Sequence, residues 1–574
     1  MNSRSGAAVH RRVRVRAASA GWGTWLLLAL AAFAPGAASL GAQGVSTSGV
    51  VGVVRSARDG DVDGAQVRVL NRPTGHAVQT TTRRGRFSVW GLEVGGPYEI
   101  TVRRLGYAPA VRDSVFLTLG EPRALEFVLE PLVQTLDEVT VATEATTVGH
   151  SVHAGAATTI SDSLLHRLPT LNRDMYDFVR LVPQVSTRFG GLSGGASFRL
   201  NSYLIDGVSD RQIGSNAVMG GARGGKAMPL DAVKEYQVLL TPYDARYGDF
   251  AGLLVNAVTK SGTNEFHGSA FGYLRNEELA RSTGFFAGSA YDRRQYGFTL
   301  GGPLIRNRVH FFVAPEFQDH AEPAGGPYVG QGDDAPAPVP VSPAVIDRFA
   351  ALLRARGLDA GHGGRVTSVN PVTAFFGRLD VSLPEWRGRL AMRHTYSDVR
   401  RTMFARSPAG PFALSSSAWA IQFTKRSTAL QVFTQPAASV FNELLVAHST
   451  IPSGASRYAY APIVQVSVPR ADGSGLAGLV AGPPNLGQGT RIINTSVEVA
   501  DHLRVQIDER HALSVGVRSE WLRYRGSTVP GSFGSWTFSS LDSLERGEAA
   551  RYVVSRDFGG ASTPLNGVQV SAYV

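Results

Sequence analysis

The chain contains no cysteine in its 574 residues. That absence excludes at one stroke a disulfide scaffold, a thiolate zinc site, a cysteine nucleophile and a lipid anchor on an N-terminal cysteine. Lysine is scarce as well, with Lys226, Lys234, Lys260 and Lys425 the whole complement. Positive charge is therefore carried by arginine interspersed with acids, the pattern of a solvated surface and not of a nucleic-acid stripe. Part of the formal +11 sits in Arg4, Arg11, Arg12, Arg14 and Arg16, which have no acidic counterpart before residue 42. No later segment offers the roughly 20 consecutive apolar residues of a membrane helix. Membrane residence, if any, has to be by β-strands, whose backbone groups pair between strands. No HExxH or HxxE word occurs, and His76 and the other histidines stand isolated, so no catalytic, cofactor or metal site is indicated.

What is present begins with an export signal. The five arginines form a basic n-region, Trp25 to Ala34 an apolar h-region too short to span a bilayer, and Leu40-Gly41-Ala42 a small-residue cleavage site. Residues 1–42 are assigned to a cleaved signal peptide, with an uncleaved anchor as the competing reading. Glycine is abundant, 65 residues without a Gly-X-Y period, which excludes collagen and points to turns and packed β structure.

Residues 46–130 carry short alternating runs, Val50 to Arg55, Gln66 to Leu70, Gly85 to Val89, Tyr98 to Val102 and Ala124 to Leu129. Turn words such as Asp63-Gly64 and Pro73-Thr74-Gly75 separate them. A small β-sandwich is the economical reading. Its expected core is Val51, Val53, Val67, Val69, Phe87, Val89, Ile100 and Val102. Residues 131–147 form a polar, Thr-rich linker. Residues 148–264 are mixed: Ser161-Asp162 can cap a helix to Leu168, and Asn172 another carrying Met175, Phe178, Val179 and Val182 on one face. Strand words follow at Ser202 to Ile205, with the turn Asp206-Gly207, and at Glu235 to Leu240.

From Phe266 onward the chain repeats strand, turn, strand. Val497, Val499, Leu503, Val505 and Ile507 are expected to pair with Leu513, Val515, Val517 and Trp521 across Asp508-Glu509-Arg510. The opposite faces carry Glu498, His502, Arg504, Gln506, Arg518 and Glu520. Apolar-out and polar-in suits a barrel in lipid with a wet lumen, although a soluble sandwich makes the same alternation. Glu322 to Thr373 is a Pro/Gly/Ala-rich insertion with a helix over Pro343 to Arg356, read as an extracellular loop against the competing reading of a disordered linker.

The stretch Val255 to Gly268, VNAVTKSGTNEFHG, with Tyr203 to Gly207, Val233 to Gly252 and Gln295 to Leu304, resembles the Oar-like TonB-dependent outer-membrane receptors. These carry a carboxypeptidase-regulatory-like domain in front. In residues 46–130, Gly49, Gly64-Ala65, Thr74-Gly75, Gly85-x-Phe87, Gly96-Pro97-Tyr98 and Gly106-Tyr107 look like that domain, a transthyretin-like fold filed with carbohydrate-binding-like sandwiches. The resemblance implies a mostly β chain: the sandwich, an α+β plug over 148–264, and the first part of a transmembrane antiparallel β-barrel over 265–574. One departure is Leu253-Leu254, where the family pattern has a further glycine.

The resemblance also assigns Glu138, Val139, Thr140, Val141 and Ala142 as the TonB box, an unpaired strand able to add to the sheet edge of a partner; a passive linker is the alternative. Partners so implied are the TonB energising complex, outer-membrane lipid and an extracellular ligand of unknown class, peptide, glycan or siderophore, with no nucleic acid and no cofactor. Gly190 to Ser197 and Arg211 to Gly225 are read as plug apices or plain turns. The function implied is gated, energised uptake at the outer membrane and not enzymatic catalysis; an adhesin or secretion-linked binding protein is the alternative. Residues 266–574 supply roughly ten to fourteen strands at the usual spacing of membrane barrels, against about 22 in plugged transporters, so the barrel is expected to be partial.

Overall fold

The computed structural model describes residues 46–132, 157–210, 226–279, 291–556 and 564–574, apart from 57, 59, 121, 169, 171, 189–190, 198–199, 241–245, 249, 333–336, 457–460 and 509–510 within them. The leader, Glu138 to Ala142, and Arg211 to Gly225 lie outside the described residues.

The first domain consists of β1 (Ser48–Ser56), β2 (Gly60–Asp61), β3 (Gln66–Asn71), β4 (Ala77–Thr81), β5 (Arg86–Leu92), β6 (Gly95–Arg103), β7 (Ala110–Leu117) and β8 (Pro122–Leu129). One sheet places β1 between β5, antiparallel, and β8, parallel; the other runs β4-β3-β6-β7. Their facing sides bury Val50, Val54, Val67, Val69, Phe87, Val89, Ile100, Val102 and Phe127, with Phe87 and Phe127 ring centroids 6.0 Å apart. The expected core holds except in β1, where Val50 and Val54 face inward and Val51 and Val53 are only half-buried. The run Val50-Val51-Gly52-Val53-Val54 has valines in both phases, so alternation alone does not fix its inner face. Val50→Ala should cost this domain about 2 kcal/mol, from the methyl groups removed, and Val51→Ala clearly less. The check is thermal melting of residues 46–132 expressed alone, which should be cooperative and indifferent to chelator; zinc-dependent folding would sink the metal-free reading.

The central domain contains β9 (Ala157–Ser161), α1 (Asp162–Arg167), α2 (Met175–Val179), β10 (Ser186–Arg188), β11 (Gly191–Ser193), β12 (Ser202–Ile205), β13 (Val208–Ser209), β14 (Val233–Leu239) and β15 (Leu254–Thr259). Its main sheet runs β13-β12-β15-β14-β9. Helix α2 is capped by Asp174, whose carboxylate accepts from the Asp177 N–H at 3.1 Å, and not by Asn172 as expected. Arg173 at φ 51° turns the chain between the two, so the residue with extended backbone next to the helix takes the cap. The turn at Asp206 and Gly207 has positive φ at both positions, 47° and 79°, the left-handed geometry of a tight hairpin that Asp-Gly accommodates. Leu253 and Leu254 are both buried, on opposite faces of the sheet, so the missing glycine is accommodated by packing.

Beyond Gly262 the chain enters a long antiparallel wall. A Cβ on Gly262 would lie 2.2 Å from the carbonyl oxygen of Phe311 and 2.9 Å from that of Gly302, so only glycine lets the junction pass this close to the wall backbone. The wall comprises β16 (His267–Asn276), β17 (Asp292–Ile305), β18 (Val309–Pro323), β19 (Thr367–Val369), β20 (Val372–Leu383), β21 (Gly388–Met403), β23 (Trp419–Ala437), β24 (Val440–Ser456), β27 (Thr490–Gln506), β28 (Ala512–Thr528) and β31 (Leu565–Tyr573). Among the described residues this sheet is eleven-stranded and its path ends at β16 and β31. The expected hairpin is present, with Val497 opposite Trp521 and Val505 opposite Leu513. Val497, Val517 and Trp521 are exposed outward, whereas Glu498, His502, Arg518 and Glu520 are buried inward. Strands that expose apolar side chains outward and bury charge inward are built for lipid outside and a polar interior.

The remaining elements, β22 (Phe412–Ala413), β25 (Ile463–Pro469), β26 (Leu476–Ala481), β29 (Ser535–Phe538), β30 (Arg551–Val553), α3 (Pro343–Arg354) and α4 (Leu541–Arg546), form a cap. All of them lie in the long connections between wall strands. Their sheet runs β22-β26-β25-β29-β30, and Ile346, Phe349 and Leu353 of α3 share a core with Phe412, Val466, Leu479 and Leu544. Within the insertion over Glu322 to Thr373 the helix is thus a folded part of this cap, ending at Arg354 instead of Arg356, whereas the ends of the insertion and Thr367–Val369 belong to wall strands. Arg348 joins the two helices through Asp542 at 2.6 Å and Glu545 at 2.8 Å. The intervening connections, at 306–308, 384–387, 438–439 and 507–511, are short and lie at the other end. In outer-membrane barrels short turns face the periplasm and long loops the outside.

Candidate functional site

The candidate site is the seam where the central domain meets the inner face of the wall. The hairpin of β12 and β13 extends toward the wall because its Asp-Gly turn is tight, and its polar groups meet inward-facing charges. Asp206 accepts from the Thr259 N–H at 2.9 Å and from the Thr259 hydroxyl at 2.8 Å. Its carboxylate also faces Arg393 at 3.2 Å, and Arg393 donates to the Ile205 carbonyl at 2.7 Å. Asp210 pairs with Lys425 of β23. The Ser209 N–H donates to Glu498 of β27 at 3.1 Å, and Glu498 pairs with Arg518 of β28 at 2.9 Å. Bonds between charged partners are shorter and stronger than neutral ones, and here they tie one hairpin to β21, β23 and β27.

A second cluster lies on the other flank of the central domain. Lys226 pairs with Glu316 of β18, and Gln295 of β17 donates to the same carboxylate at 2.9 Å. Arg173 stands 3.8 Å from Glu316 and 2.9 Å from Asp231, its guanidinium 3.9 Å above the ring of Phe271. The Ser397 hydroxyl donates to the Lys226 carbonyl at 2.6 Å. Burial pulls the Lys226 ammonium below the usual lysine range and Glu316 opposes the shift; a buried cation is tolerable only with such a partner. Nearby, burial and then Asp177 push the Asp174 carboxyl up to about 7.

The sandwich meets the same assembly at its short-turn end. Several of its wall contacts, Asn307, Arg389, Phe441 and Arg504, lie at or close to short connections. The Asn264 N–H donates to the Pro73 carbonyl at 2.7 Å.

This interface combines charged pairs with apolar contacts of Phe312, Ala314 and Phe376 on the central-domain core and of Val208 on Ala429, Leu445, Ala447 and Ala500, and among the described residues no group of three or more His, Asp or Glu side chains is placed to hold a metal. Of the sequence-predicted site residues, Glu138 to Ala142 lie outside the described residues. Gly191 to Ser193 form β11, hairpin-paired with β10. The seam residues Asp206, Asp210, Lys226, Glu316, Arg393 and Lys425 were not read as site residues from the sequence, where Asp206 figures only in a turn and Lys226 and Lys425 only among the four lysines. The available signal was the scarcity of lysine: Lys226 and Lys425 are both buried and both face a carboxylate.

Comparison with known proteins places the chain among relatives. Residues 49–130 match the family described as carboxypeptidase regulatory-like domain, and residues 258–326 match that described as outer membrane beta barrel domain. The chain is 26% identical over 297 residues to the TonB-dependent transporter Oar of Myxococcus xanthus, covering 47% of this chain and 27% of that protein. It is 31% identical over 168 residues to the probable TonB-dependent siderophore receptor PirA of Acinetobacter baumannii, covering 26% of this chain and 21% of that protein. Among solved structures, the outer membrane transporter YddB from Escherichia coli has a TM-score of 0.47 at 14% identity, covering 72% of this chain and 52% of that one. The matches to the curated relatives thus span between a fifth and a third of their length.

Proposed function

We propose that this chain, a TonB-dependent receptor of the outer membrane with an N-terminal carboxypeptidase regulatory-like domain, works by gated, energised uptake. In this reading residues 148–264 are the plug, residues 265–574 barrel wall, and residues 46–130 a periplasmic sandwich reached after removal of residues 1–42. A ligand binds from the long-loop end; Glu138 to Ala142 then add as a strand to the TonB energising complex, and tension through the linker moves the plug. The observation that carries the reading is the chemistry of the seam. Asp206, Asp210 and Lys226 face charged wall residues, beside apolar contacts in which Phe312, Ala314 and Phe376 of the wall join the central-domain core and Val208 packs on Ala429, Leu445, Ala447 and Ala500. Polar groups released by plug movement can be rehydrated, while the apolar part of the seam resists movement at about 25 cal/mol per Å² exposed, which is work that energy coupling has to supply.

The name of the Acinetobacter relative supports a siderophore as one ligand class, beside peptides and glycans. Catalysis has no part in this reading: relatives named transporter and receptor support binding and transport. The test is accumulation of labelled ferric siderophores, peptides and glycans by cells carrying the receptor, with and without a protonophore. At least one class should accumulate and lose most of its accumulation when the proton-motive force is collapsed. Binding without protonophore-sensitive accumulation would instead support a surface adhesin.

A further inference from the structure

The contacts between the sandwich and the rest of the molecule have no role in ligand uptake as described above. Glu93, in the connection between β5 and β6, places its carboxylate 2.8 Å from Arg389 and 3.6 Å from Arg378. Arg378 also reaches Asp380 of its own strand at 2.8 Å and the Thr259 hydroxyl of the central domain at 2.9 Å. One guanidinium of the wall therefore contacts all three domains. Arg389 holds Asp380 at 3.2 Å, and Arg393 holds Asp206. Glu93 is thus the third carboxylate facing three buried arginines, and it is the one the sandwich brings. Burial opposes its ionisation, but Arg389, Arg378 and Lys234 outweigh burial and hold the carboxyl down at about 2.

Further contacts close the same joint. Val94 and Leu119 of the sandwich pack on Val258 of β15 and bury it. The peptide of Leu119 is gripped from both sides by β14: its N–H donates to Glu235 at 2.9 Å, and its carbonyl accepts from Gln237 at 3.2 Å. Trp90 lies 3.7 Å beneath the Arg504 guanidinium and packs on Phe441. The linker leaves the sandwich after β8 and re-enters the central domain at β9, which pairs with Glu235 to Leu239 of β14. Tension on the linker accordingly bears on the strand that grips Leu119.

We propose that the sandwich is a periplasmic latch: docked, it holds the plug against the wall through Glu93 and Leu119, and traction on the linker releases it before the plug moves. The trigger rests on the uptake reading; the latch itself does not. Because the chain has no cysteine, Val258→Cys creates its sole thiol, which Val94 and Leu119 of the docked sandwich cover together with Tyr247.

The experiment is the rate of maleimide labelling of Val258→Cys in the receptor in outer membranes. With Glu93 in place labelling should be slow. Glu93→Lys, which sets a cation against Arg389, should speed it at least tenfold, and adding Arg389→Glu should slow it again, a rescue that misfolding would not produce. Equal rates in all three overturn the latch, and so does fast labelling that the charge swap fails to reverse. In energised cells labelling should rise, and a protonophore should return it to the slow rate. Protonophore-insensitive labelling with the charge-swap pattern intact overturns traction as the trigger and counts against the uptake reading, leaving the docked latch standing.

Discussion

Val139→Pro is expected to reduce uptake in energised cells to the level of cells treated with a protonophore, while expression, membrane insertion and ligand binding stay as in the parent. The argument is about backbone, not side chains. A strand that adds to the edge of a partner sheet is held by its N–H and C=O groups, with side-chain pockets contributing specificity. Proline at 139 removes one donor, fixes its own φ and restricts Glu138 before it, at the second of five residues that would have to add as a regular strand. Val139→Ala keeps every donor and should retain most of the uptake. The measurement is accumulation of the labelled ligand class identified by the uptake screen, with outer-membrane content checked by blot. Uptake unchanged by proline would remove Glu138 to Ala142 from the coupling path and leave an adhesin as the better account of the chain.

The parts of this architecture that repeat on a local period were legible in the sequence. Val497 and Trp521 sit opposite each other and outward, Glu498 and Glu520 inward, because a strand's faces follow from period two alone. Asp206-Gly207 marks its own turn, since few residue pairs accept two positive φ values. Legibility fails where several neighbours satisfy the same local rule. Val50 and Val51 are equally apolar, and the second sheet of the sandwich, not β1, decides which is buried. Asn172 and Asp174 are equally good caps, and the left-handed turn at Arg173 chooses between them.

Features made by pairing across long separations were not legible at all. In the cap, Phe412 pairs with Leu479 and Val464 with Trp536, in strands too short and too far apart to announce one sheet. The seam joins Lys226 to Glu316 and Asp210 to Lys425, and in each case the partner lies in another domain. Glu316 sits in the inward phase of HFFVAPEFQ, which period two places correctly, but its counter-ion is set by how the central domain seats. The domain order, by contrast, came from resemblance in particular phrases, with periodicity only consistent with it.

Seating of the central domain against the wall should therefore depend steeply on the Lys226 and Glu316 pair. Glu316→Ala leaves Lys226 buried without its carboxylate and takes one of two anions from Arg173. Breaking a buried pair from one side costs about 3–5 kcal/mol, because the remaining charge is uncompensated. The double variant Lys226→Met with Glu316→Leu removes both charges and keeps apolar volume, so it should recover most of that loss, with Arg173 still held by Asp231.

The single variant should also acquire a pH dependence of known sign. Burial already lowers the Lys226 pKa, and without Glu316 to oppose it the folded value falls further below the ordinary 10.5. Between that folded value and 10.5 the unfolded chain binds more protons than the folded one, so stability rises with pH. Glu316→Ala should accordingly be less stable than the parent at pH 7 and regain part of the difference by pH 10, whereas the double variant should show no such slope. Hydrogen exchange of β14 and β15 amides in the detergent-solubilised receptor measures the seating directly. A Glu316→Ala variant protected as well as the parent at pH 7 would mean that the Lys226 and Glu316 charges contribute nothing to holding the central domain against the wall.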